Sequence, residues 1–148
     1  MIISVHFLAG GVIGEAIGNP FLAFLLGIVL HFVLDAIPHF DNVLKNGKWN
    51  YRQVIFTALD AAATAWILFV YLKPDIYLAS PLLWGALGGV LPDLFDNIPF
   101  LTIRNTKLGK PFHKFHNSIH SKPPGWFIGS LTQILVVIFF VIWHNVIK

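Results

Sequence analysis

From Trp126 to Trp143 the chain is apolar without a single charged residue, and four further apolar stretches precede it, separated by glycine, proline and polar turns. Helices that cross a bilayer need about 20 mostly apolar residues, with a range of roughly 17–25. The pattern predicts spans at 2–17, 21–37, 54–72, 76–91 and 126–143. Gly18, Asn19 and Pro20 mark a helix stop and a tight turn between the first two. Pro38 closes the second. Ser80 and Pro81 read as an N-cap followed by proline at the first helical position, and Pro92 closes the fourth. Charged residues make up only 11% of the chain, where a soluble domain carries about 25%, and the mean hydropathy is +0.72. The expected fold class is all-α: a polytopic helical membrane protein of about five transmembrane helices, with residues 1–148 forming one membrane domain. The first segment lacks a basic leader region, so it is expected to be retained.

Loop charge sets the orientation. One side of a five-span topology carries Lys45, Lys48, Arg52, Arg104, Lys107, Lys110, Lys114 and Lys122; the other carries only Lys73 and Lys148. Basic residues favour the cytoplasmic face, so the N-terminus is expected in the cytoplasm of a cell whose inner membrane holds the chain.

Ionisable residues in such a chain must be paired, bind metal or do chemistry. They fall in four clusters: His6; His31, Asp35 and His39; Asp93 and Asp96; and His113, His116 and His120. The topology brings every cluster to the cytoplasmic side. His6, Gly10, Gly14 and Gly18 repeat at intervals of four, as do Gly27, His31 and Asp35, and Gly85, Gly89 and Asp93. Residues four apart share a helix face, and small residues let membrane helices approach closely. The polar groups are therefore expected to face neighbouring helices. Asp35 to Pro38 also echoes Asp96 to Pro99, a match short enough that chance explains it better than an internal duplication does.

With no cysteine, a metal must take imidazole nitrogen and carboxylate oxygen ligands, which suits zinc among the divalent ions. His31 and Asp35 can share an ion, or simply hydrogen-bond to each other. His116 and His120 have the two-imidazole spacing of helical zinc sites, or lie solvated in a basic loop. Asp93 and Asp96 can bind metal or cap a turn. The candidate metal ligands are His6, His31, Asp35, His39, Asp93, His116 and His120, holding one to three ions. Asp41 reads as a loop cap. Asp96 is the candidate general base. Asp60, inside the third span, either orients a ligand histidine and so joins the catalytic set, or stays protonated and hydrogen-bonded. Arg104 and Lys114 are candidates for holding a substrate phosphate, and the same basic loop can draw anionic headgroups. No basic helix or aromatic platform stands free of the membrane segments, so nucleic acid is not an expected partner.

An early helix with His6, then Leu91, Pro92 and Asp93 with a further aspartate, then a histidine pair ending at His120 and Ser121 before an apolar helix, resembles the membrane-bound metal-dependent hydrolases, also described as LexA-binding and inner-membrane-associated. Two departures are visible. That family's aspartates alternate, whereas Leu94 and Phe95 separate Asp93 from Asp96. Its histidine element carries an arginine and is one residue longer than His116 to Ser121. Separately, the helix bearing His31 and Asp35, with Pro38 and His39, is similar to a helix of zinc-dependent phospholipase C. Both resemblances imply a metal site and hydrolytic chemistry.

The functional expectation is a membrane-embedded metal-dependent hydrolase working at the cytoplasmic leaflet on a phosphoester lipid or a lipid-linked headgroup, through a water that the ion acidifies. The alternatives are a non-catalytic protein that moves or senses metal ions or protons through the same cluster, and an assembly partner with a purely organising ion.

Overall fold

The structure, a computed structural model, describes residues 1–40, 51–72, 80–97, 106–121 and 124–147. Every regular element among them is helical: α1 (Ile3–Ile17), α2 (Pro20–Ala36), α3 (Tyr51–Trp66), α4 (Pro81–Asn97), α5 (Gly109–Ile119) and α6 (Trp126–Ile147). The α3 helix continues as π-helical turns over Ile67–Leu72. Gly18 ends α1 in a left-handed conformation at φ 70°, with its N–H on the Gly14 carbonyl. Asn19 then caps α2, its side-chain oxygen accepting from the Leu22 N–H at 3.0 Å, and Pro20 supplies the first helical residue.

Two elements differ from the sequence expectation. The helix around Pro92 does not stop there but runs on to Asn97. Proline removes one backbone donor, yet neighbouring helices can re-satisfy the freed carbonyl in an apolar bundle. The start at Pro81 makes α4 later than the expected span at 76–91, whose first residues 76–79 lie outside the described residues. The second difference is α5, which forms from what read as a basic loop.

α1 is the central helix: α2, α3, α4 and α6 all pack against it. Three of these helices meet through glycine. A Cβ added at Gly10 or Gly14 would run into the backbone carbonyl of Gly85 or Pro81, one at Gly27 into Gly85, and one at Gly88 into Phe24. α1, α2 and α4 are thus in backbone contact, and a single added methyl would force them apart. Ala9, Val12, Ala23 and Ala86 are buried at these crossings.

The outside of the bundle is as apolar as its inside. Phe21, Val29 and Val33 on α2, Phe56 and Leu59 on α3, Phe69 in its π-helical continuation, and Phe127, Leu135 and Phe139 on α6 are all exposed, while the fully buried side chains include five histidines and an aspartate. A protein in water shows the reverse arrangement. By length and composition α6 is long and apolar enough to cross a membrane; α1, α2 and the stretch 54–70 are apolar but shorter.

Candidate metal centre

The start of α1, the ends of α2 and α4, and the helix α5 meet at one end of the bundle. Asp35 lies at their centre and is entirely buried. Its Oδ2 is 3.1 Å from Nε2 of His31, of His116 and of His120. Its Oδ1 is 3.1 Å from His6 Nε2 and 3.8 Å from His39 Nε2, and the α-amino group of Met1 donates to it at 2.5 Å. Asp93 closes the far side, 3.9 Å from His116 Nε2 and 4.0 Å from His6 Nε2. Two sets of donors each lie within 4.8 Å of one another: His31, Asp35, Asp93 and His116, and Asp35, His39 and His120.

The backbone sets the tautomers. His31 Nδ1–H donates to the Gly89 carbonyl at 2.8 Å, and His39 Nδ1–H to the Ile37 carbonyl at 2.7 Å. A carbonyl can only accept, so each neutral ring turns a bare Nε2 inward. His31 Nε2 then faces His116 Nε2 at 3.1 Å, and His116 Nε2 faces His120 Nε2 at 3.3 Å. A neutral His116 or His120 that keeps its hydrogen on Nε2 relieves one such contact, and the Met1 ammonium offsets Asp35 at Oδ1; a cation among the nitrogens relieves the remaining contacts together. On a tetrahedral zinc with bonds of about 2.0–2.1 Å, two nitrogen ligands stand about 3.3–3.4 Å apart. The His31–His116 separation of 3.1 Å is close to that edge length.

Protons are the other source of positive charge. At His116 burial opposes the charged ring, but the hydrogen bond to Asp35 and the fields of Asp93, Asp35 and Asp96 outweigh it and raise its pKa. Without a cation, His116 holds a second proton more tightly than a free imidazole does. The remaining imidazoles would still be crowded around one carboxylate.

Asp96 stands behind the cluster. Its oxygens lie 2.7 and 2.9 Å from His113 Nδ1, and its Oδ2 lies 3.4 Å from His116 Nδ1, inside ion-pair range but outside hydrogen-bond geometry. A carboxylate on the outer nitrogen orients a ligand histidine, so this position suits orientation better than the general-base role expected for Asp96. Asp60 also sits elsewhere than expected. It accepts the backbone N–H groups of Ile3 at 2.8 Å and Ser4 at 3.0 Å, and so caps the start of α1 instead of touching an imidazole. Partly buried, its carboxylate accepts both amide donors at a helix N-terminus, where such acceptors are favoured.

Lys114 is exposed, two residues before buried His116. Residues two apart on a helix do not share a face, so Lys114 starts from a different face of α5 than His116. Arg104 and Asp41 lie outside the described residues.

Some contributors carried no sequence signal. Gln133 on α6 accepts from the Ile2 N–H at 3.2 Å and donates to the Phe40 carbonyl at 2.9 Å, which ties the start of α1 to the segment bearing His39. Gly129 packs its backbone on His39 and Phe40. His113, three residues before His116, was the one legible hint of the partnership with Asp96. Compared with family models, curated proteins and solved structures, the chain matches none.

Proposed function

We propose that this chain is a polytopic membrane protein whose His/Asp centre binds divalent metal, zinc by its donor set, and hydrolyses a phosphoester lipid or lipid-linked headgroup at the cytoplasmic leaflet. The observation that carries the reading is the inward convergence of imidazole Nε2 atoms on Asp35 at 3.1 Å from three directions. A bound divalent cation supplies Lewis acidity and a water acidified to a pKa of about 7. The chain's residues do the rest. His31, His116, Asp35 and Asp93 hold the ion; the Gly89 carbonyl and Asp96 orient the rings; the packed helices keep bulk water out.

Membrane residence is supported by the apolar exterior and by α6, and the five-span topology by the apolar character of α1, α2 and residues 54–70. The eight-to-two split of basic residues given above supports a cytoplasmic site. Exposed Lys107, Lys110 and Lys114 near and on α5 would meet anionic headgroups, at about 1 kcal/mol each.

Transport through the same cluster is the competing reading. Backbone contact of α1 with α4 at Gly10, Gly14 and Gly85 closes the seam between these two helices to an ion, which supports chemistry at one face. The test measures metal content of the detergent-purified chain, then compares headgroup release from labelled phospholipid vesicles with zinc uptake into proteoliposomes. Metal-dependent release without uptake supports hydrolysis. Uptake without release makes it a carrier, and absence of metal sinks both.

A further inference from the structure

We infer that the centre is binuclear, two divalent cations bridged by Asp35 and differing in duty. The inference deepens the metal-centre reading above and rests on it. A tetrahedral ion takes four protein ligands at most. His31, Asp35, Asp93 and His116 already supply that number, every one of them buried. His6, His39 and His120 are left over; His6 belongs to neither set, whereas His39 and His120 form a second ligand set with Asp35 within the same distance limit.

These two are not outer partners of the first set. The Ile37 carbonyl holds His39 Nδ1–H, so the other nitrogen is the one turned to Asp35. His120 Nε2 lies 3.1 Å from Asp35 Oδ2, and the His39 and His120 rings are neighbours with centroids 5.5 Å apart. The carboxylate is contacted on both oxygens, Oδ2 by His31, His116 and His120, and Oδ1 by the Met1 α-amino group and His6 with His39 beyond, so a second ion on Oδ1 would displace the Met1 contact. Carboxylates shared in this way serve two-ion hydrolytic sites, whose ions stand about 3.5–4 Å apart.

The two positions are unequal. Four protein ligands make a closed site of the structural kind, whereas three leave a coordination position open to an outside ligand. Burial points the same way. The first set is buried throughout, while the His120 side chain is 19% exposed. The ion held by Asp35, His39 and His120 is the exchangeable one that meets substrate. The ion held by His31, Asp35, Asp93 and His116 ties α2, α4 and α5 together.

The test uses the full chain in detergent micelles, loaded with zinc, desalted and assayed by elemental mass spectrometry. Two zinc ions per chain are expected in the parent protein, and one in His39→Ala, resistant to brief EDTA treatment. Loaded with Mn(II), the parent should show the electron paramagnetic resonance spectrum of an exchange-coupled pair, and His39→Ala that of a single ion. His120→Gln replaces His39→Ala if the latter does not fold. One zinc per parent chain with an uncoupled manganese spectrum overturns the binuclear centre while leaving the metal reading intact; zero zinc removes both. Two zinc ions retained in His39→Ala, or in His120→Gln where that stands in, overturn the division of ligands.

Discussion

The two ends of α1 solve the same problem in opposite ways. At its far end Glu15 meets one imidazole, His144 Nδ1, at 2.7 Å, so one acid faces one base. At its near end, about 13 Å away along the helix axis, His6 joins His31, His39, His113, His116 and His120 around Asp35, Asp93 and Asp96. The far pair sets one carboxylate against one imidazole. The near group has twice as many rings as carboxylates, most of them turning the same nitrogen inward, and burial forbids leaving them as several imidazolium ions. Equal numbers suit a structural tie; an excess of inward ring nitrogens offers donors that could hold a cation.

Asp35→Ala tests this contrast most severely. It should abolish metal retention and lower stability by about 3–5 kcal/mol, because the buried rings lose their common partner. Metal analysis and thermal unfolding in detergent read both effects. Glu15→Gln should cost roughly 1 kcal/mol and leave metal content unchanged; metal loss in that variant would erase the distinction between the two ends.

Chelation ranks next. An ion bound at 100 times its dissociation constant contributes about 2.7 kcal/mol, so excess EDTA should lower the melting temperature of the parent protein. The same treatment should leave Asp35→Ala unmoved.

A smaller, graded effect is expected from pH. The folded pKa of His116 is raised above its ordinary value near 6.5. Without a cation, its protonated form stabilises the fold fully below about pH 6.5, and this contribution fades as pH climbs through the raised value. A cation on Nε2 must displace that proton, so zinc affinity should weaken as pH falls through the same range, by up to about tenfold per unit for each proton displaced. Zinc titrations at several pH values measure the slope; a flat profile would mean that His116 is not a ligand. The smallest effect belongs to Asp60→Asn, which weakens the cap on α1. It should cost about 0.5–2 kcal/mol with metal still bound, as unfolding and metal analysis together would show.

Much of this arrangement was legible in the residue pattern. Uninterrupted apolar runs and turn residues located α1, α2 and α6 to within a few positions, because in these stretches hydrophobic length and helix-breaking chemistry agree. The intervals of four from His6 to Gly18 and from Gly85 to Asp93 foretold glycine contacts alongside polar groups. Pro92 misled because its local preference for ending a helix is overridden by packing of α4 on α1 and α2. α5 stayed hidden because it is short and polar, and what holds it is tertiary: His116 buried against Asp35. Asp60 was misread for a related reason. Sequence spacing reports neighbours on one helix, whereas its partners, the amides of Ile3 and Ser4, come from another. The contributions of Gln133 and of the Gly89 carbonyl are likewise contacts across the chain that no local pattern encodes.

Gly89 has two obligations at once. Its carbonyl fixes the His31 ring, and its missing side chain lets the His6 backbone lie directly against it. Main-chain atoms therefore gauge the distance between the helices that bear His6 and His31, and no rotamer can relax that gauge. A cavity of fixed width should sort cations by radius, admitting ions of zinc's size and turning away the larger calcium, whose six to eight oxygens at 2.3–2.6 Å would need helices free to spread.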